Sequence, residues 1–125
     1  MSDPFAPEEV QAWVQALLEA REVGVLRQAL QPGNADPDDT EADLILAAAC
    51  TVAAGLGLVV ADLPGEVAGW LQVNKRLDLA ALLPLARVQL GRVVADQHGE
   101  PARRQQATVL LARLHREVAI QKGCG

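Results

Sequence analysis

The chain has 125 residues, of which 50% are hydrophobic, 22% charged and 2% aromatic, and it carries a formal net charge of −5 at pH 7. That length allows one domain and buries roughly two-thirds of the unfolded chain's surface, so a core forms without metal or cross-link. The acidic balance repels nucleic acid and anionic membrane unless a basic patch segregates, and a Tyr-free sequence rich in Ala, Leu and Val suits helices better than half-buried strands.

The first helix is predicted from Pro7 to about Glu22, because Val10, Trp13, Val14, Leu17 and Leu18 form an i, i+3, i+4, i+7, i+8 stripe. Pro7 suits a first helical position, Glu8 and Glu9 oppose the N-terminal dipole, and Phe5 with Val10 has the spacing of a hydrophobic staple. Gly24 bends or ends this helix, and Val25, Leu26, Ala29 and Leu30 continue a helical pattern as far as Gln31. Pro32, Gly33, Asn34 and Pro37 then make a polar loop.

Thr40 and Asp43 read as a capping-box variant opening the second helix. No charge follows for eighteen positions, Leu44 to Ala61, but six are Ala and two are Gly, and the flanks are Asp43 and Asp62. A central buried helix is expected, not a membrane span, with small residues allowing close approach and Gly55 and Gly57 ending it. Leu63 and Pro64 start a third helix that carries Val67, Trp70 and Leu71, and Asn74 to Arg76 close it. Asp78 caps a fourth segment whose inward stripe is Leu82, Leu85, Ala86, Gln89, Leu90, Val93 and Val94, with a leading turn split off by Pro84. His98, Gly99, Glu100 and Pro101 interrupt the chain. A fifth helix, Ala102 to Gln121, places Ala107, Leu110, Leu111, Leu114 and Val118 on one face and Arg103, Arg104, Arg113 and Arg116 on the other. The narrow stripe Leu110, Leu111, Leu114 and Val118 serves either the core or a homodimer seam. The expected fold class is all-α: a compact bundle of about five helices around a central Ala-rich helix, forming one domain over residues 1–125.

Charge divides along the chain. Residues 1–43 hold ten acids and two bases, a local −8, whereas residues 75–125 hold nine bases and four acids, a local +5. Halves of opposite sign that face each other, or are solvated on opposite sides, account for this. A nucleic-acid surface would draw on Lys75, Arg76, Arg87, Arg92, Arg103 and Arg104, but no aromatic follows Trp70 to provide a stacking platform.

Catalytic and ligand signatures are missing. The one serine is Ser2, and Cys50 has no polar neighbour within a turn except Thr51, so it reads as a small core hydrophobe. His98 and His115 lack a second ligand at zinc spacing. The acidic stretch from Asp36 lacks the glycine and the twelfth-position acid of a calcium loop, with Glu41 and Ala47 there instead. Gly55 and Gly57 follow a helix, not a strand, so they are no dinucleotide loop. No catalytic residue, metal ligand or cofactor is assigned. Two cysteines, Cys50 and Cys124, imply no disulfide framework; with an N-terminus lacking an export pattern, they lead to an expected cytoplasmic location. LAAAC at Leu46 to Cys50 lies too far along the chain to be a lipidation box. Trp13 and Trp70 are the notable residues, either anchors of one core or the floor of a ligand cleft.

With the helices placed, the pattern resembles an uncharacterised bacterial family, domain-of-unknown-function family 4259, over about residues 5–95. Phe5 and Trp13 keep the family's spacing, Leu46 to Gly57 matches its Ala-rich helix, and Leu63, Pro64, Val67, Trp70 and Leu71 match a following phrase. Leu85, Ala86, Leu90, Arg92 and Val93 match the next. The resemblance implies a shared apolar scaffold, with the helix at 102–121 an addition. The family's polar stretch is replaced here by Ala6, Pro7 and Glu8, and its central-helix Glu by Cys50, so a polar site in the family would be missing from this chain.

The functional expectation is a non-catalytic cytoplasmic domain acting through protein contacts, with a possible homodimer through the last helix and no membrane partner. The alternatives are a small-molecule-binding domain or enzyme with a pocket at Trp13 and Trp70, with Phe5 as a third anchor, and nucleic-acid binding by the C-terminal basic helices.

Overall fold

The uncharged run beginning at Leu44 becomes the axis of the bundle. The computed structural model describes residues 8–19, 24–30, 39–56, 63–74, 79–95 and 101–124. These form α1 (Glu8–Glu19), α2 (Gly24–Leu30), α3 (Asp39–Gly55), α4 (Gly65–Val73), a 3-10 turn (Leu79–Leu82), α5 (Leu83–Ala95) and α6 (Pro101–Cys124). No strand occurs among the described residues, and the all-α fold class stands.

Every other helix touches α3, while α5 and α6 pack most extensively against each other. Ala47, Ala48, Ala49, Val52 and Ala53 are wholly buried, because a helix that is apolar on every side must be packed on every side. The side chains packed around it are large: Val10 and Leu17 from α1, Leu26 and Leu30 from α2, Leu90 from α5 and Leu114 from α6 are all inaccessible. Each such leucine contributes about 1.5–3 kcal/mol of transfer free energy, so these contacts, more than helix propensity, hold the bundle together.

Helix boundaries follow local chemistry. Leu56 N–H donates to both Val52 and Ala53 carbonyls, at 3.0 and 3.1 Å, a shared bond typical of a helix end. Gly55, the last residue of α3, sits in a crowded place: a Cβ there would overlap Leu79 Cδ1 and lie 3.2 Å from Leu71 Cδ2, so those side chains would have to shift to admit it. Pro64 precedes the helix it was expected to begin; its φ of −59° and ψ of 140° make it the N-cap of α4, and its carbonyl accepts from Ala68 N–H at 3.0 Å. Asn74 closes α4 doubly, since its backbone N–H and its Nδ2 both donate to the Trp70 carbonyl, at 3.0 and 2.9 Å.

Pro84 splits the fourth segment as expected, leaving Leu79–Leu82 as a 3-10 turn before α5. Pro101 takes the first position of α6, where its missing N–H costs nothing. The first helical pattern is two helices, α1 and α2, with Gly24 opening the second, and the six α-helices among the described residues agree with the expected compact bundle of about five. One expectation needs correction. Arg103 does not share an outer face with Arg104 and Arg113. It is 7% exposed, because it lies four residues before Ala107 and seven before Leu110, on the same side of α6. Phe5, Gly57, Asp78, His98 and the polar loop at Pro32 lie outside the described residues.

Candidate functional site

α1 and α4 pack together, so the two tryptophan-bearing helices are neighbours as the anchor reading requires. Trp70 is 6% exposed and belongs to the core. Trp13 is half-buried against that core, and its Nε1 is shielded from solvent with no acceptor. An indole N–H in that state is a donor whose desolvation is uncompensated. Phe5, the third anchor, falls outside the described residues.

Buried polar chemistry among the described residues is concentrated on α3, α5 and α6. Thr51 is inaccessible and returns its hydroxyl to the Ala47 carbonyl at 2.9 Å, satisfying itself within its own helix. Arg103 Nε donates to Asp43 Oδ1 at 2.8 Å, tying the N-terminal parts of α3 and α6 together. Gln89 is wholly buried on α5; its Oε1 accepts from an Arg92 guanidinium nitrogen at 3.3 Å, and its Nε2 has no acceptor. These groups act on the fold. Cys50, 5% exposed, lies inside the core and in no disulfide, and the described residues contain no group of three or more His, Cys, Asp or Glu able to hold a metal.

The arginines expected as a basic patch are distributed differently. Arg103 is consumed by Asp43. Arg87 and Arg92 are half-buried on α5, and five residues of helix set them about 140° apart around the axis. Arg104 is half-buried on α6, and Lys75 and Arg76 lie outside the described residues. The proposed dimer seam is also redistributed. Leu110 and Leu114 are 5% and 0% exposed within the chain's own core, Leu111 is only partly covered, and the Val118 side chain is outside the described residues.

The exposed apolar side chains lie elsewhere. Val73 at the end of α4 is 84% exposed, Val88 on α5 is 59% and Val109 on α6 is 54%. Sequence reasoning missed all three, although Val88 has a readable signal: it sits two residues from Ala86 and Leu90, out of phase with the inward stripe. No described helix is long and apolar enough to cross a membrane. No family model matches the chain, and neither a curated protein nor a solved structure matches it.

Proposed function

We infer that this chain is a helical protein-interaction domain that acts through its surface, without chemistry of its own. The observation that supports this most is the outer side of α5 and α6, where Val88 and Val109 stay more than half exposed on two helices packed against each other. The ion pair of Asp43 with Arg103 joins α3 to α6 and so acts on the fold. The cytoplasmic setting proposed with this reading is supported by Cys50, which is buried and in no disulfide. Membership of the uncharacterised family that residues 5–95 resemble belongs to the same proposal and would supply the scaffold but no mechanism.

Cross-linking of the full chain in a native extract, followed by mass spectrometry, tests the reading. One reproducible protein partner is the expected result. Absence of any partner, in a chain that also sediments as a monomer at every concentration, overturns it.

A second reading, a small-molecule cleft beside Trp13, is favoured by the buried indole N–H that has no acceptor. A ligand carbonyl would satisfy that donor. Screening for compounds that shift the melting temperature of the parent but not of Trp13→Phe separates it from the first reading.

A further inference from the structure

We draw no further inference here: the strongest candidate, the exposed apolar surface patch at Val88 on α5 and Val109 on α6, is an unpartnered face, and nothing in the structure shows what covers it.

Discussion

Arg103 Nε and Asp43 Oδ1 lie 2.8 Å apart, joining positions sixty residues distant in sequence, with side chains 8% and 21% exposed. The bond fastens the acidic N-terminal half to the basic C-terminal half where α3 and α6 begin. It also explains how a guanidinium is tolerated on the inner side of α6: a buried charge is stable only when paired.

Removing one partner takes a charge-assisted hydrogen bond from the other. Arg103→Met is expected to lower unfolding stability by about 2 kcal/mol, less than for a fully buried pair because Asp43 retains some solvent. Asp43→Leu combined with Arg103→Met is expected to recover most of that loss. Urea denaturation of the single and double variants checks this, and strictly additive losses would show that the pair contributes no coupling.

Two glycines predict opposite outcomes. Gly55→Ala places a methyl group onto Leu79 Cδ1 and is expected to destabilise by about 1–2 kcal/mol despite the better helix propensity of alanine. Gly69 lies inside α4 with open space where a Cβ would go, so Gly69→Ala is expected to stabilise by about 0.5–1 kcal/mol. Equal effects of the two substitutions in denaturant titrations would contradict the packing at Gly55.

Gln89 keeps a buried donor without an acceptor. Gln89→Met conserves volume and removes that donor, while Arg92, half-buried, can turn to solvent. Stability is expected to rise by about 1 kcal/mol, seen as a melting point several degrees higher. A lower melting point would mean that the amide performs a structural task.

The leucines of α6 separate core from surface. Leu114→Ala, at a fully buried position, is expected to cost about 2–4 kcal/mol. Leu111→Glu is expected to leave the chain folded, because Leu111 is only partly covered. Sedimentation of folded Leu111→Glu beside the parent decides the homodimer question, since an unchanged mass removes this residue from any seam.

Several inward faces were readable before any coordinates. Val10, Val14 and Leu17 are buried on α1, and Leu82, Ala86, Gln89, Leu90 and Val93 are buried where the stripe of the fourth segment placed them. Even the polar Gln89 obeyed its position, because helical period sets direction whatever the side chain. Arg103 held the same kind of position relative to Ala107 and Leu110, yet its charge suggested solvent. Its partner lies in another helix, and one-dimensional spacing carries no record of that distance. The surface was less legible still: the exposed Val88 and Val109 became visible only as what the core did not cover.

Composition and periodicity by themselves determined an all-α chain with an Ala-rich central helix, because both are local properties of residue volume, apolarity and the 3.6-residue turn. Tertiary structure decided which polar groups are enclosed and which apolar ones are left out. It placed Asp43 beside Arg103, took Leu110 and Leu114 into the core, and left Val88 and Val109 outside. Burial depends on what packs over a residue in space, and that is a property of the assembled helices.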